Sequence, residues 1–269
     1  MDDALLLRTL AAVRGHPWWQ ARARLALQLL AQFGLRRDAC VLDAGCGWGV
    51  TLDAIEQAGY TAVGLDASRQ VLEQIDRPER RLIHADLSRA MLSQERFDAV
   101  LALDVIEHID DDVDALARLA TLARPHAPLI LSVPALPRLF SEFDTIQGHR
   151  RRYSMALLTQ ALQQAGLTID RAFYWGGWLV PMLQLQRSRP KARPGDTNAD
   201  IYLRYLKPPA RWIQPFLRLA FAVDERLALA SLLPAGTSLV AVVRSKGTSG
   251  AGRAISASTI DASASAISA

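Results

Sequence analysis

The chain has 269 residues, and half of them are hydrophobic, which predicts a globular protein built as one elaborated domain or a domain with a small appendage. No apolar run is long enough to cross a bilayer and no positive segment precedes the apolar residues 4–7, so we predict a cytoplasmic protein with neither a transmembrane helix nor a secretory signal. Cys40 and Cys46 are the only cysteines, which argues against a disulfide framework and a cysteine-based zinc site.

The positive charge is concentrated in the C-terminal third of the chain. The formal net charge is +4, but residues 1–186 hold 19 basic and 22 acidic residues, whereas residues 187–269 hold 12 basic and 5 acidic ones. Such an excess favours an anionic neighbour, either membrane headgroups or nucleic acid, and a solvated basic face is the common alternative.

Two helices are predicted before the first strand. Apolar residues recur at helical spacing from Leu5 to Val13 and, after a break at His16-Pro17, from Leu25 to Phe33. We assign residues 1–36 to these helices.

A glycine-rich turn joins the first predicted strand to a helix. The apolar residues 40–42 lead to Asp43, and Gly45, Gly47 and Gly49 follow at alternate positions. Glycines let the backbone approach a ligand closely, and the start of the helix offers free N–H groups. The dinucleotide fingerprint places its third glycine three positions after the second, so this spacing does not favour a pyrophosphate.

The stretch 41–49, Val-Leu-Asp-Ala-Gly-Cys-Gly-Trp-Gly, resembles the first motif of the class I S-adenosylmethionine-dependent methyltransferases. The resemblance implies that the glycine loop passes against the methionyl part of the cofactor, that Asp43 orders the loop, and that the helices of 1–36 cover the cofactor. Trp18 and Trp19 would then line the substrate mouth or pack in the ordinary way. A glycine turn in another doubly wound protein is the alternative interpretation.

The second strand ends at Asp66, 23 positions after Asp43. Ligands of doubly wound sheets lie at the carboxyl ends of strands, so Asp66 can accept hydrogen bonds from a ribose diol, or cap the helix that begins near Ser68. After the third strand, Ala85-Asp86-Leu87 resembles the family's motif in which an acidic side chain meets the adenine amino group. The resemblance implies a cofactor site formed by Asp43, Gly45, Cys46, Gly47, Gly49, Asp66, Ala67, Asp86, Leu87, Leu103 and Asp104.

Apolar strands and amphipathic helices alternate from residue 40 onward. This alternation predicts an α/β fold with a Rossmann-like, doubly wound sheet covered on both faces. The resemblance adds a seventh strand, antiparallel, with a helical insertion before it. The predicted strands are 40–43, 61–65, 81–84, 97–103, 128–133, 167–175 and 237–244, and the predicted helices are 49–58, 68–76, 88–94, 111–123 and 154–165. The methyltransferase domain would comprise 37–175 and 237–245, with the insertion at 176–236 and a disordered tail at 246–269.

The fourth strand leads into Asp104-Val-Ile-Glu-His-Ile-Asp110, which is similar to a pattern in the ubiquinone-pathway O-methyltransferases. In that branch, positions matching Asp104, Glu107 and His108 are associated with magnesium. Magnesium prefers oxygen ligands, and the alternative is that Glu107 and His108 open the next helix and brace the cofactor edge. We predict no metal site and keep His108 as a candidate catalytic residue.

A long loop, 140–153, follows the fifth strand and should stand above the carboxyl edge of the sheet. It ends Gly-His-Arg-Arg-Arg-Tyr and resembles a Gly-His-x-Arg-Tyr signature in a bacterial group of class I methyltransferases often found with glycan, lipid or pigment pathways. His149 is the candidate general base because imidazole accepts a proton near neutral pH. The arginines 150–152 would hold an anionic substrate or form a solvated basic turn.

The insertion combines apolar and basic residues. Residues 175–185 are nearly all apolar, and the helical stretch 200–233 carries Trp212 and Phe216. Arg204, Arg211 and Arg218 recur every seven residues and would share a helix face, which Pro215 should kink or divide. We predict peripheral attachment to an anionic membrane surface, with a substrate lid or a homodimer interface as the alternative.

These motifs together predict a methyltransferase that uses S-adenosylmethionine to methylate a small apolar or lipid-linked acceptor, at oxygen. A nucleic-acid methyltransferase is the enzymatic alternative, and it is disfavoured because the sequence has no Asn/Asp-Pro-Pro-Tyr-type motif and no separate basic domain. A catalytically silent cofactor-binding scaffold is the non-enzymatic alternative.

Overall fold

The computed structural model describes residues 3–89, 96–187, 193–206 and 211–245. Strands of the described residues form one sheet: β1 (Cys40–Ala44), β2 (Thr61–Asp66), β3 (Arg81–His84), β4 (Ala99–Leu103), β5 (Leu129–Pro134), β6 (Leu167–Trp175) and β7 (Ser238–Ser245). Their order across the sheet is β3-β2-β1-β4-β5-β7-β6. The first five strands run parallel, and β7 lies antiparallel between β5 and β6. The predicted Rossmann-like sheet with its antiparallel last strand is thus confirmed.

The helices of the described residues pack around this sheet, with short 3₁₀ turns at Ile106–His108, Pro137–Leu139 and Arg211–Ile213. The α-helices are α1 (Asp3–Arg14), α2 (Pro17–Gln32), α3 (Val50–Gln57), α4 (Arg69–Ile75), α5 (Asp112–Leu122), α6 (Glu142–Gln147), α7 (Met155–Gln164), α8 (Leu179–Arg187), α9 (Asn198–Tyr205) and α10 (Gln214–Leu229). Several of them begin at a side chain that caps the helix, such as Ser68, Asp111 or Ser154.

The sheet separates two apolar layers because successive side chains of a strand point to opposite faces. Along β1, Leu42 belongs to the layer that contains Leu116 of α5. Its neighbour Val41 belongs to the other layer, with Leu29 of α2 and Phe221 of α10. The last helix of the insertion is therefore part of the helical layer over the sheet rather than a detached appendage.

A third apolar cluster places α1 and α9 beside the glycine turn. The indole Nε1 of Trp48, within the turn, donates to the carbonyl of Leu6 at 2.9 Å, and Arg14 Nε donates to the carbonyl of Trp48 at 3.3 Å. Arg8 pairs with Asp200 across the two helices at 2.8 Å. The N-terminal helices and the insertion thus meet over the same turn.

Two predicted segments differ from the structure. The loop predicted at 140–153 contains α6, which begins at a reciprocal cap between Ser141 and Asp144. Residues 88 and 89 of the helix predicted at 88–94 form a turn, and most of that prediction, like the predicted tail at 246–269, lies outside the described residues. None of the described helices combines the length and apolar character needed to span a bilayer.

The prediction that three arginines share one helix face is wrong. The stretch 200–233 contains two helices, with Arg204 on α9 and Arg218 on α10, while the side chain of Arg211 lies outside what the structure describes. Arg204 binds Asp196, with its Nη2 2.6 Å from the carboxylate. Pro215 was predicted to kink or divide the stretch; it lies in the first turn of α10, where proline is tolerated, and α9 ends ten residues earlier at Tyr205.

Candidate active site

A cavity of about 1380 Å³ opens at the carboxyl ends of the parallel strands. One wall is the edge of the sheet and carries predicted cofactor residues. The other wall comes from α2 and the insertion and is mainly apolar. The sheet wall includes Gly45, Cys46, Gly47, Asp66, Ala67, Asp86, Leu87, Leu103 and Asp104, and the opposite wall includes Trp18, Trp178, Leu179, Leu183, Leu217 and Phe221.

The backbone conformation of the turn requires glycine. Gly45 has a φ of 74°, and a Cβ there would lie 2.5 Å from Cγ2 of Val105. Gly47 has a φ of 45°, but a Cβ there would meet only the Gly45 carbonyl at 3.9 Å. Gly45 is therefore needed for packing, whereas Gly47 leaves free space beside the cavity. Gly49 does not line the cavity; it precedes α3 with a φ of 74°.

Asp66 ties the turn to the second strand. Its Oδ2 accepts the Gly47 N–H at 2.8 Å, and its Oδ1 accepts the Ser68 N–H at 2.9 Å. Each carboxylate oxygen has a further lone pair, so Asp66 can still accept hydrogen bonds from hydroxyl groups in the cavity. Of the two roles predicted for Asp66, facing a ribose is compatible with this geometry, whereas the cap of α4 is Ser68, whose hydroxyl accepts the Val71 N–H at 3.2 Å.

Asp43 lies behind the turn rather than in the cavity wall. It is 2% exposed, and its Oδ2 has no hydrogen-bond partner within the described residues. Burial raises the pKa of Asp43 to about 7, although Arg22 opposes the increase. A cationic ligand beside the turn would favour the ionised carboxylate. This buried charge and the open space at Gly47 fit a cofactor that carries a sulfonium.

Asp86 also belongs to the sheet wall of the cavity. Its Oδ1 accepts both the hydroxyl of Ser88, at 2.6 Å, and the Ser88 N–H, at 2.8 Å. The Ser88 hydroxyl is the main reason that the pKa of Asp86 is lowered. Asp86 is therefore an ionised acceptor at the cavity edge.

Arg22 and Asp104 link the two walls of the cavity. Arg22, on α2, forms an ion pair with Oδ2 of Asp104, which follows β4 with a φ of 59°. Oδ1 of Asp104 accepts the Ser132 hydroxyl at 2.8 Å, and the Arg22 guanidinium lies 5.5 Å from the Trp18 ring centroid. Arg22 was not singled out from the sequence, because no local pattern relates it to a residue 82 positions away.

His149 is oriented by a buried carboxylate. Its Nδ1 lies 2.9 Å from Oδ1 of Asp144, which also accepts Arg152 Nε at 2.7 Å. Asp144 is fully buried, and His149 lines the cavity. The carboxylate can only accept, so Nδ1 carries the hydrogen and Nε2 is the free basic nitrogen.

His108 and Glu107 surround the ring of His149. The two imidazole rings meet edge to face with centroids 4.8 Å apart, and Oε1 of Glu107 is 3.9 Å from His149 Nε2. Burial lowers the pKa of His108 to about 3, with a further contribution from His149. Burial also raises the pKa of Glu107 well above its usual range, and the Asp104 charge adds to this increase. His108 is therefore a weaker proton acceptor than its position suggested.

The structure does not assemble the magnesium ligands that the resemblance implied. Glu107, His108 and His149 each offer one potential ligand atom, and these three atoms lie within 4.8 Å of one another. Asp104 is not part of this group. Both oxygens of Asp104 are engaged by Arg22 and Ser132. One carboxyl and two imidazoles do not suit magnesium, which prefers oxygen ligands and retains waters.

The arginines of the 140–153 segment are paired rather than free. Arg152 is buried and also donates to the Ala135 carbonyl at 2.8 Å, so its role is structural. Arg151 pairs with Asp112 at 3.0 Å, and Arg150 pairs with Asp110 at 3.2 Å. Of the three, Arg150 and Arg152 line the cavity, and only Arg150 is largely exposed there.

Comparison with known proteins places this geometry in a family. A family described as a methyltransferase domain matches residues 18–172. A "Probable S-adenosylmethionine-dependent methyltransferase" of Mycolicibacterium smegmatis is 28% identical over 167 residues, which cover 61% of this chain and 64% of the relative. A ubiquinone biosynthesis O-methyltransferase of Rhodopseudomonas palustris is 33% identical over 131 residues, which cover 45% of this chain and 47% of the relative. The chain thus spans about half to two thirds of the length of these curated relatives.

A solved structure shows the same fold. The TehB-like SAM-dependent methyltransferase of Corynebacterium glutamicum superposes with a TM-score of 0.50 at 20% identity, covering 89% of this chain and 94% of that chain. The matched family region is more than half of the chain and contains the glycine turn, Asp66, Asp86 and His149. The chain therefore belongs to the class I S-adenosylmethionine-dependent methyltransferase family.

Proposed function

We propose that this protein transfers a methyl group from S-adenosylmethionine to a small, mainly apolar or lipid-linked acceptor, at a hydroxyl oxygen. The observation that carries the proposal is one cavity with two different walls, the glycine turn and acidic residues on one side and aromatic and aliphatic side chains on the other. His149 lines the same cavity. In this proposal the cofactor, the acceptor and the catalytic base occupy different parts of one cavity.

The sheet wall would hold the cofactor, which supplies an activated methyl group when bound. Gly45 and Gly47 let the backbone approach its methionyl part, and Asp66 would accept hydrogen bonds from the ribose. Asp86 would accept from the adenine amino group. Ionised Asp43 would balance the positive sulfonium from behind the turn.

The opposite wall would hold the acceptor. Trp18, Trp178 and Phe221 give it an aromatic lining, and Leu179 extends the apolar surface. A drug-sized ligand occupies a pocket of roughly 300–1,000 Å³, so a cavity of about 1380 Å³ has room for the cofactor and a sizeable acceptor. Apolar lining on this side supports a hydrophobic acceptor body with few polar groups.

His149 would remove the proton from the acceptor hydroxyl. Asp144 holds Nδ1 and stabilises the imidazolium that forms, leaving Nε2 to accept the proton. Arg152 holds Asp144 in turn, so the orientation of the ring does not depend on solvent. Proton removal makes the oxygen a better nucleophile for an in-line displacement at the methyl group.

The charges near the mouth do not favour nucleic acid. Asp110, Asp111 and Asp114 line the cavity. Arg150, which also lines the cavity, is paired with Asp110, and its neighbour Arg151 is paired with Asp112. A polyanion needs unpaired basic groups along its path, so a small acceptor fits this rim better.

The test is a pair of measurements on the same preparation. Titration calorimetry should detect S-adenosylmethionine binding, and incubation with methyl-labelled cofactor and lipid, quinone or phenolic fractions of a cell extract should yield a labelled product. Cofactor binding without any labelled product would favour the silent scaffold. Labelling of nucleic acid rather than of small molecules would instead support the other enzymatic alternative.

A further inference from the structure

The outer face of α10 is an apolar stripe. Trp212, in the turn before the helix, and four residues of the helix succeed one another at intervals of three or four positions, which places them on one side. Single exposed apolar residues are ordinary, but a row of them marks a surface that meets a partner. The exposed fractions are 73% for Trp212, 67% for Phe216, 64% for Leu219, 46% for Val223 and 38% for Leu227.

The acidic and basic side chains of α10 differ in burial. Both acidic residues, Asp224 and Glu225, are 3% exposed and are held inside the protein. Asp224 accepts the Gly176 N–H at 2.7 Å, and Glu225 pairs with Arg24 at 2.9 Å. Arg218 and Arg226 are exposed, and neither forms an ion pair with another described residue. The charges that α10 presents to solvent are therefore all positive.

Two apolar side chains of the cavity are also exposed at the protein surface. Met182 and Leu185 of α8 are 49% and 64% exposed, and both also line the cavity. On α10, Leu217 and Phe221 line the same cavity, one and five positions after Phe216 of the stripe. Met182 and Leu185 are thus exposed apolar side chains that also line the wall proposed for the acceptor, and α10 contributes to the same wall with its other side.

We propose that the α10 stripe, together with Met182 and Leu185, docks on an anionic lipid bilayer, and that the acceptor enters the cavity from the lipid. Tryptophan suits the headgroup level, apolar side chains enter the acyl boundary, and unpaired arginines meet anionic headgroups. A symmetric pair of chains would instead bring together two copies of a helix whose exposed charges are all positive, with no exposed acidic residue of α10 to pair with them. The role in acceptor supply rests on the proposed methyl transfer, whereas the docking does not.

Vesicle co-sedimentation tests the docking with the full chain. The protein should sediment with phosphatidylglycerol vesicles at low salt, less at high salt, and weakly with phosphatidylcholine alone. Phe216→Ser/Leu219→Ser should lower the partition coefficient by about 100-fold or more, because two large apolar side chains no longer leave water. Arg218→Gln/Arg226→Gln should lower it about 30-fold on anionic vesicles.

Matched variants separate the stripe from general surface effects. Phe140→Ser/Leu157→Ser removes exposed apolar side chains elsewhere, and Arg37→Gln/Arg69→Gln removes two other exposed arginines; both should bind vesicles as the wild type does. The docking is refuted if the wild type stays in the supernatant at low salt, or if the stripe variants bind as tightly as these controls.

Light scattering on the same samples tests self-association. A dimer that becomes a monomer in Phe216→Ser/Leu219→Ser, without vesicle binding by the wild type, would assign the stripe to subunit contact and overturn the proposal. Calorimetric titration with S-adenosylmethionine keeps the two proposals apart. A wild-type chain that binds vesicles but not the cofactor would refute the methyl transfer and support the docking alone.

Discussion

Asp43 should make the stability of the ligand-free protein fall as pH rises. Its pKa increases from 3.8 in the unfolded chain to about 7 in the fold because the carboxyl is buried. The folded state then binds the proton more tightly, so stability is complete below about pH 4 and is lost progressively up to about pH 7. At 1.36 kcal/mol for each pKa unit, the loss is about 4 kcal/mol. Asp43→Asn removes this dependence while keeping nearly the same shape.

Urea denaturation of both proteins between pH 4 and 8, without cofactor, measures the effect. The stability difference between Asp43→Asn and the wild type should grow in favour of the variant by about 4 kcal/mol over that range. Asp98→Asn is a control of opposite sign, since the Cys40 N–H and Arg124 outweigh burial and lower the pKa of Asp98. That variant should lose stability at neutral pH and regain it as pH falls. Parallel pH profiles for Asp43→Asn and the wild type would refute the reasoning.

The other predictions concern binding and turnover. Asp66→Ala and Gly47→Val should each weaken S-adenosylmethionine binding in calorimetry without unfolding the chain, because one removes an acceptor and the other fills space beside the cavity; unchanged affinity in both would contradict the site. His149→Ala should lower kcat by roughly 10²–10⁴-fold with little change in cofactor affinity, and His108→Ala by much less, as measured with the labelled-methyl assay; a fully active His149→Ala would move the base elsewhere. Addition of a chelator should leave turnover unchanged, since Asp104 is bound by Arg22 and Ser132.

The sheet could be predicted from sequence because its signals are local. The apolar runs before Asp43 and Asp66 and the alternate glycines fix where β1 and β2 end, and the carboxyl ends of parallel strands meet at one edge. A short helix such as α6 was harder to predict. Its Ser141–Asp144 cap is present in the sequence, but six residues carry too little periodicity to separate a helix from a loop.

The partners of the site residues could not be predicted, because they depend on tertiary packing. The ion pair of Arg22 with Asp104 joins α2 to the end of β4. The orientation of His149 depends on Asp144, which faces inward only because α6 forms. The seven-residue spacing of arginines failed because the helix is not continuous: α9, with Arg204, ends at Tyr205, and α10, with Arg218, begins at Gln214.

Most of the wall proposed for the acceptor lies outside the part of the chain that identifies the family. The family match ends at residue 172, whereas Trp178, Leu179 and Phe221 of the acceptor wall all follow it. These residues are held by Asp224, which accepts N–H groups at the end of β6 and so fixes α10 against the sheet. If this wall holds the acceptor, substitutions in α8 and α10 would change the acceptor while the glycine turn is kept. The same two helices present apolar side chains outward, so the proposed acceptor wall and the proposed docking surface lie on the same part of the chain.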